Sequence, residues 1–315
     1  MAQIAIIGTG FIGRGWAIAH ARAGNLVTLW DQDPEAGARA KSYISGVLPD
    51  LAANGLLPET TPEAVLDRIS VASTLEAAVS GADYVQENTY EDLAIKRDIF
   101  KRLDAAARPD AVLASSTSAI LPSAFTEDLP GRARCIVVHP LNPPYVLPAV
   151  ELIPAPWTDP KITEAAAEVM RGIGQNPIVM AKELDGFIVN RLQGALLQEA
   201  FRLVAGGYAS AEDVDIAIKD GLALRWSFMG PFETIDLNAP AGVRDYVERY
   251  EGMYINLWSS QTERADWGGE TLNQIEASRR ERLGQDQLQE RQAWRDRRLM
   301  ALLAHKAAAD RDIGK

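Results

Sequence analysis

The stretch IAIIGTGFIGRGWA, residues 4–17, decides the fold class of this chain. Four apolar residues lead directly into glycines with the spacing G-x-G-x-x-G, namely Gly8, Gly10 and Gly13. The pattern predicts a buried strand, a tight turn at Gly8 and a helix that packs closely on the strand at Gly13. Gly10 has no side chain, so the backbone there can approach a pyrophosphate. The stretch therefore predicts the first strand–turn–helix unit of a dinucleotide-binding fold.

The residues that follow indicate which dinucleotide binds. The helix that begins at Phe11 and Ile12 offers free N–H groups to phosphates. A second apolar run, LVTLW, ends at Asp31, eighteen residues after Gly13. A carboxylate there accepts the ribose hydroxyls of the adenosine half and repels a 2′-phosphate. No arginine follows before Arg39, so the sequence favours NAD over NADP. The alternative is that Asp31 is only a turn residue.

Composition excludes several classes of function. The 315 residues are 47% hydrophobic and 24% charged, as in soluble globular proteins. A net charge of −11 argues against nucleic acid or an anionic membrane as main partner, since both require a basic surface. No apolar run reaches the roughly 20 residues that span a bilayer, and we expect no signal peptide and no metal site. The single cysteine, Cys135, lies in an apolar run and indicates a buried inert thiol in a reducing cytoplasm rather than a nucleophile.

The hydrophobic pattern changes near residue 185. Before it, short apolar runs alternate with helical, Ala-rich segments, which predicts a parallel sheet with helices on both faces. After it, one helical segment follows another, with a C-cap at Gly206-Gly207 and an N-cap signature at Ser210. We predict an α/β fold with a Rossmann-type doubly wound sheet in residues 1–184 and an all-helical domain in residues 185–315.

The C-terminal run LQERQAWRDRRLMALLAHK mixes apolar and charged residues. Its pattern predicts an amphipathic helix that packs on its own domain or on a partner subunit. The alternative is a solvated basic helix.

Only three histidines are available as a catalytic base. Oxidation of an alcohol by a nicotinamide needs a base for the hydroxyl proton, and imidazole suits this because its unperturbed pKa is about 6.5. His20 lies in the first predicted helix, a position typical of a partly exposed structural histidine, and His305 lies in the charged C-terminal helix. His139 follows the run RCIVV, at the carboxyl end of a predicted strand, where ligands bind in open α/β sheets.

Glu151 lies twelve residues after His139, inside the apolar run AVELI. A carboxylate in such a run is costly to bury without a partner. A bond to His139 would remove that cost, set the tautomer and raise the basicity of the other ring nitrogen. The prolines of HPLNPPYVLPAVEL would stiffen the connecting loop. We predict a His139–Glu151 pair; the alternative is a capped strand end with a surface glutamate.

Five motifs resemble, in order and spacing, those of the 3-hydroxyacyl-CoA dehydrogenase family: GTGFIGRGWA, VQENTYEDLAIK, SSTSAI, HPLNPPYVLPAVEL and DGFIVNRL. Together they span nearly all of the first 195 residues. The resemblance implies NAD as cofactor and a Rossmann domain followed by a helical domain that forms a homodimer. It implies that His139 is the catalytic base and Glu151 its partner, that Ser118 binds the substrate oxygen beside the cofactor, and that Asn190 orients the substrate carbonyl. The further cofactor contacts that it implies, near the nicotinamide and its ribose, are Glu91, Lys96 and Asn142.

Two later segments, LRWSFMGPFETIDLNA and the C-terminal run, resemble one branch of that family, that of lambda-crystallin and L-gulonate 3-dehydrogenase. Carnitine 3-dehydrogenases share a loop of this kind but differ at the position of Asn190. Residues 42–67 contain no lysine or arginine, which weakens the case for a CoA ligand, because phosphates are normally bound by such cations. Arg225 would instead bind a free carboxylate bidentately; the alternative is a surface arginine.

We therefore expect NAD-dependent oxidation of the 3-hydroxyl of a small hydroxy acid resembling L-gulonate. The alternatives are a short-chain 3-hydroxyacyl-CoA dehydrogenase, a carnitine 3-dehydrogenase, and a non-catalytic structural protein of the crystallin kind. The presence of Ser118, His139, Glu151 and Asn190 together argues against the last, since a structural role does not require all four.

Overall fold

The computed structural model describes residues 1–57 and 59–314. They form two compact units. The first contains residues 1–189 and 294–305, and the second contains residues 190–293 and 306–314. The sequence predicts domains at 1–184 and 185–315; the first unit extends to residue 189 and also includes a segment of the C-terminal helix.

The first unit contains an eight-stranded sheet. Its strands are β1 Gln3–Ile7, β2 Leu26–Trp30, β3 Ile69–Val71, β4 Tyr84–Glu87, β5 Val112–Ser115, β6 Cys135–Pro140, β7 Ala149–Pro154 and β8 Asn176–Val179. The spatial order is β3-β2-β1-β4-β5-β6-β7-β8. Neighbouring strands are parallel except β6 and β7, which are antiparallel. The order reverses between β1 and β4, which is where open α/β sheets bind ligands.

Helices cover both faces of this sheet. They are α1 Phe11–Arg22, α2 Ala36–Ala53, α3 Pro62–Asp67, α4 Leu75–Val79, α5 Leu93–Ala106, α6 Pro122–Thr126 and α7 Pro160–Gly172. Successive strand residues point to opposite faces, so Ile4 and Ile6 of β1 belong to one hydrophobic core while Ala5 and Ile7 belong to the other. The predicted doubly wound sheet is confirmed.

The second unit is helical, as predicted. Its helices are α8 Val189–Ala205, α9 Ala211–Ile216, α10 Ala223–Trp226, α11 Pro231–Leu237, α12 Val243–Ser260, α13 Gly269–Arg282 and α14 Leu288–Asp312. The first residue of α8 and the middle of α14 belong to the first unit. Ser210 caps α9 through a reciprocal bond with Asp213, which confirms the N-cap signature. Among the described helices, none has the length and apolarity that a membrane crossing requires.

The middle of α14 packs on the first unit. Met300 is buried in the core beside the sheet, and Leu299 and Leu303 pack against it. Asp296 accepts a hydrogen bond from the hydroxyl of Tyr145 at 3.0 Å. The C-terminal run is therefore an amphipathic helix, as predicted, but its middle packs on the first unit and not on the helical domain to which the sequence assigned it.

His20 is fully buried, not partly exposed as its position suggested. It lies on the face of α1 that packs on the sheet, between the rings of Trp16 and Tyr84, whose centroids are 6.0 and 5.8 Å away. Neither ring nitrogen has a hydrogen-bond partner among the described residues. Burial lowers the pKa of His20 to about 3, so the imidazole is neutral in the folded protein.

We expect His20 to make the protein sensitive to mild acid. Its pKa is lower in the folded state than the 6.5 of an unfolded chain, so the unfolded state binds more protons and the free energy of unfolding falls as pH drops below 6.5. The loss amounts to about 2 kcal/mol at pH 5. Urea unfolding at pH 7 and pH 5 should show this loss in the parent and a smaller one in His20→Leu. Equal losses in the two proteins would contradict the assignment.

Candidate active site

The glycine-rich turn between β1 and α1 has the geometry that a dinucleotide requires. Gly8 has a positive φ of +84°, and a Cβ there would lie 2.7 Å from the carbonyl oxygen of Asn88. A Cβ on Gly13 would lie 1.9 Å from the carbonyl oxygen of Gly8. A Cβ on Gly10 would meet nothing within 4 Å, so the backbone at Gly10 faces open space. The residues present therefore fit a pyrophosphate at the N-terminus of α1, beside Phe11.

Asp31 lies at the end of β2, beside the glycine-rich turn. Its Oδ2 accepts hydrogen bonds from the backbone N–H and the hydroxyl of Thr9, at 2.7 and 3.0 Å. It lines a cavity of about 580 Å³ between the ends of β2 and β3, which has room for an adenosine moiety. Arg39, eight residues after Asp31, lines a second cavity together with it. An arginine therefore does lie near Asp31, but Asp33 binds Arg39 at 2.5 Å and offsets its charge.

Glu91 organises the loop that follows β5. Its Oε1 accepts hydrogen bonds from the hydroxyl of Thr117 at 2.5 Å and from the backbone N–H groups of Ser118 and Ala119 at 3.0 Å each. Ser118 is exposed. Glu91 thus holds the serine loop at the carboxyl end of the sheet. Asn142, in the loop after β6, is also exposed.

Lys96, which the resemblance predicts to contact the cofactor, forms a buried ion pair beside the loop after β4. Its side chain is 1% exposed, and its ammonium donates to both carboxylate oxygens of Glu87, at 2.8 and 2.9 Å, and to the carbonyl oxygen of Thr89 at 3.1 Å. An ammonium has three donors, and these three bonds use them all. Lys96 therefore fixes the loop after β4 through Glu87 and Thr89, and its contact with the cofactor stays a prediction.

His139 and Glu151 form a hydrogen-bonded pair. The antiparallel register of β6 and β7 places them directly opposite one another. His139 Nδ1 lies 2.8 Å from Glu151 Oε2. Glu151 is fully buried, and His139 is 7% exposed. The predicted contact is therefore present, although it arises from strand pairing rather than from the connecting loop.

Glu151 has a second function that the sequence did not indicate. Its Oε1 accepts hydrogen bonds from the backbone N–H groups of Ile188 and Val189, at 2.7 and 2.9 Å, where α8 begins. Burial raises the pKa of Glu151, but the bonds from His139, Val189 and Ile188 together lower it more, so it lies below the usual value. Glu151 is therefore a carboxylate at neutral pH.

This pair sets the chemistry that His139 can perform. Because Glu151 is a carboxylate, the proton of a neutral imidazole lies on Nδ1 and is donated to Glu151. The unprotonated Nε2 can then accept a proton from a ligand. The buried Phe187 ring, 5.4 Å from the imidazole centroid, packs against His139. The arrangement is that of an oriented general base.

A buried polar network beneath the site is not among the residues predicted from the sequence. Gln86 donates to the hydroxyl of Ser116 at 2.8 Å and to the carbonyl oxygen of Val138 at 3.3 Å. Trp16 donates to the same hydroxyl at 3.0 Å. The network joins α1, β4, β5 and β6 next to His139. The glutamine inside the strand-like run DYVQE was the sequence signal that could have revealed it.

Two predicted substrate residues belong to the second unit. Asn190 is the second residue of α8, and Arg225 is an exposed residue of α10. Their roles toward the substrate stay predictions.

Comparison with known proteins decides the family. The model of the 3-hydroxyacyl-CoA dehydrogenase NAD-binding domain matches residues 3–184, and that of the C-terminal domain matches residues 186–274. The chain belongs to the 3-hydroxyacyl-CoA dehydrogenase family. It is an NAD-dependent oxidoreductase that acts on CH–OH groups.

Several relatives cover nearly the whole chain. Lambda-crystallin of Oryctolagus cuniculus is 38% identical over 303 residues, which is 95% of each chain. L-carnitine dehydrogenase of Pseudomonas putida is 36% identical over 301 residues, covering 95% of this chain and 92% of the relative. The solved structure of an NAD⁺-dependent 5-formyl-3-hydroxy-2-methylpyridine 4-carboxylic acid 5-dehydrogenase matches with a TM-score of 0.82 at 30% identity, covering 96% and 97% of the two chains. Relatives named for different substrates therefore have similar sequence identity to this chain.

Proposed function

We propose that this enzyme oxidises the 3-hydroxyl of a small free hydroxy acid, L-gulonate or a similar sugar acid, to the 3-keto acid. The observation that supports the chemistry is the bond between His139 and the fully buried Glu151, which orients a base at the carboxyl end of the sheet. Bound NAD supplies the hydride acceptor. Gly8, Gly10, Phe11, Ile12 and Gly13 would hold its diphosphate, and Asp31 its adenosine ribose. Glu91, Ser118 and Asn142 would line its nicotinamide end.

In this mechanism the protein's own groups accept the proton of the substrate hydroxyl and stabilise the positive charge that results. His139 Nε2 takes the proton of the substrate hydroxyl as the C–H bond is broken. Glu151 stabilises the imidazolium that results, and the two backbone N–H bonds to Glu151 keep the carboxylate ionised and in place. Ser118 would donate a hydrogen bond to the substrate oxygen, and Asn190 would orient the substrate.

Two relatives support a free acid as substrate. Carnitine and the pyridine carboxylic acid in the name of the structural relative both carry a carboxylate. The segment of α2 and α3 within residues 42–67 has no lysine or arginine for CoA phosphates. The name of the family supports the alternative, a short-chain 3-hydroxyacyl-CoA as substrate.

Arg225 is expected to bind the substrate carboxylate. A guanidinium binds a carboxylate through two parallel hydrogen bonds, each of which involves full charges. Arg225→Met should therefore raise the KM for the acid substrate at least tenfold, with kcat changed much less. Steady-state rates at saturating NAD measure both constants, and Arg249→Met, which removes an exposed arginine already paired with Asp245, serves as the control. A KM change below threefold would exclude Arg225 as the carboxylate-binding residue.

One experiment tests the substrate proposal as a whole. Initial rates of NAD reduction are compared for L-gulonate, L-carnitine and 3-hydroxybutyryl-CoA with the same purified protein. Turnover of gulonate well above the other two supports the proposal. Turnover of the thioester alone would overturn the free-acid assignment and leave the His139–Glu151 mechanism in place. Failure of a broad panel of β-hydroxy acids would favour a structural role like that of a crystallin.

We also propose that the protein is a cytoplasmic homodimer that associates through the second unit. Among the described residues of that unit, only Thr234 and Ala239 are buried. Large apolar side chains are exposed instead, including Phe228, Phe232, Leu237, Met253 and Trp258. Apolar surface of this extent is typical of an interface. The single buried cysteine, Cys135, is compatible with a reducing compartment.

A further inference from the structure

The cavity in front of the glycine-rich turn contains a cation whose role the family match does not supply. The cavity has a volume of about 300 Å³, and its lining includes Gly10, Arg14, Asp31 and Arg39. Gly10 and Asp31 mark the diphosphate end and the ribose end of the adenosine half of NAD. A side chain between them faces the most highly charged part of the cofactor.

The two arginines of this cavity differ in whether a carboxylate offsets their charge. Arg39 is paired with Asp33 at 2.5 Å, and Asp31 accepts hydrogen bonds from Thr9 and from the backbone N–H of Asp33. Within residues 1–57 and 59–314, Arg14 has no carboxylate within ion-pair distance, since no ion pair includes it. Arg14 is therefore the cation of this cavity whose charge is not offset by a protein carboxylate.

Two aromatic rings hold the Arg14 side chain. Its guanidinium carbon lies 3.4 Å from the ring centroid of Tyr43 and 4.4 Å from that of Phe11. Stacking of this kind occupies the faces of the guanidinium, and its N–H donors lie in the plane and point away from the edges. The Tyr43 hydroxyl is in turn bonded to that of Tyr145 at 3.2 Å, which fixes the ring. Arg14 is thus a pre-oriented donor group without an acidic partner in the protein.

We propose that Arg14 is the counter-ion of the cofactor diphosphate. The backbone N–H groups at the N-terminus of α1 supply only partial charges, and the protein as a whole carries a net charge of −11. Arg14 lies four residues after Gly10, one turn along the same face of α1. A stacked guanidinium there binds phosphate oxygens through charged hydrogen bonds. We therefore expect loss of Arg14 to weaken ligands that carry the diphosphate and to leave the binding of adenosine unchanged.

The test is equilibrium binding, which does not depend on the substrate. Calorimetric titration of the intact protein with adenosine, AMP, ADP, 2′,5′-ADP and NADH gives five dissociation constants. Arg14→Gln should weaken ADP and NADH by about tenfold or more and leave adenosine within twofold. In the parent, but not in the variant, raising salt from 50 to 300 mM should weaken ADP binding strongly. Arg39→Gln, in the same cavity but paired with Asp33, is the matched control and should change ADP binding less than threefold.

Three outcomes would overturn the proposal. One is an ADP affinity that Arg14→Gln leaves within threefold of the parent. Another is an equal loss for adenosine and ADP, which would mean that Arg14 only supports Tyr43 and the shape of the cavity. The third is a loss for 2′,5′-ADP without a loss for ADP, which would place the guanidinium at the ribose 2′ position. Should Arg14→Gln prove poorly folded, Arg14→Lys keeps the charge without the planar stack and should weaken ADP by an intermediate factor while adenosine is unchanged.

Discussion

Replacement of His139 by glutamine is expected to lower kcat by a factor of roughly 10² to 10⁴, the usual contribution of a general base. Glutamine is similar in size, and its amide can donate to Glu151, so the pair keeps one hydrogen bond and the fold is preserved. KM for NAD should change less than threefold, because the glycine-rich turn and Asp31 are untouched. Initial rates with the best substrate of the panel give kcat and the KM for NAD. A urea unfolding curve shows whether the fold is preserved.

Glu151→Gln is the companion variant. It keeps an oxygen that can accept from His139 or from α8 but removes the charge that stabilises the imidazolium, so kcat should fall less than in His139→Gln. It should also be less stable than the parent, because an amide cannot accept both the imidazole and the two backbone N–H groups. A kcat within tenfold of the parent for His139→Gln would show that another group takes the proton.

Replacement of Lys96 by methionine is expected to have the largest effect on stability. Lys96 and Glu87 are 1% and 0% exposed, and loss of one partner leaves the other charge buried without compensation. Such changes typically cost about 3–5 kcal/mol. Chemical unfolding at pH 7 measures the loss, and we expect the unfolding midpoint to fall accordingly.

Two further variants serve as controls for the Lys96→Met result. Lys96→Met combined with Glu87→Gln should recover part of the lost stability, because the uncompensated charge is then gone. Arg171→Met removes the exposed ion pairs with Glu164 and Glu168 and should cost less than about 1 kcal/mol. If Lys96→Met were no more destabilising than Arg171→Met, the buried pair would not be the structural element that we describe.

The parts of the fold that were predicted correctly depend on local pattern. The glycine-rich turn, the flanking strand and helix, and Asp31 lie within 31 residues, and steric limits on the backbone at Gly8 and Gly13 specify them. The apolar runs IAII, LVTLW, RCIVV and AVELI each contain or overlap a strand. The short strand β3 was not predicted, since ISV has too few residues to show a period and depends on its pairing with β2.

The surroundings that the sequence did not predict depend on distant contacts. His20 is buried because α1 packs on the sheet beside Tyr84, a residue 64 positions away. Lys96 is buried because β4 places Glu87 beneath it, and nothing in the motif YEDLAIK distinguishes a ligand-binding lysine from a structural one.

The sequence by itself determined the fold class, the use of NAD and the pairing of His139 with Glu151, because each follows from short motifs whose residue types have few physical alternatives. The tertiary structure alone decided how that pair is held. The register of β6 and β7 sets His139 against Glu151, the N-terminus of α8 supplies two N–H donors to the same carboxylate, and Arg14 meets Tyr43 across two helices. Strand register and helix packing are set by the burial of many side chains at once, so no local motif contains them.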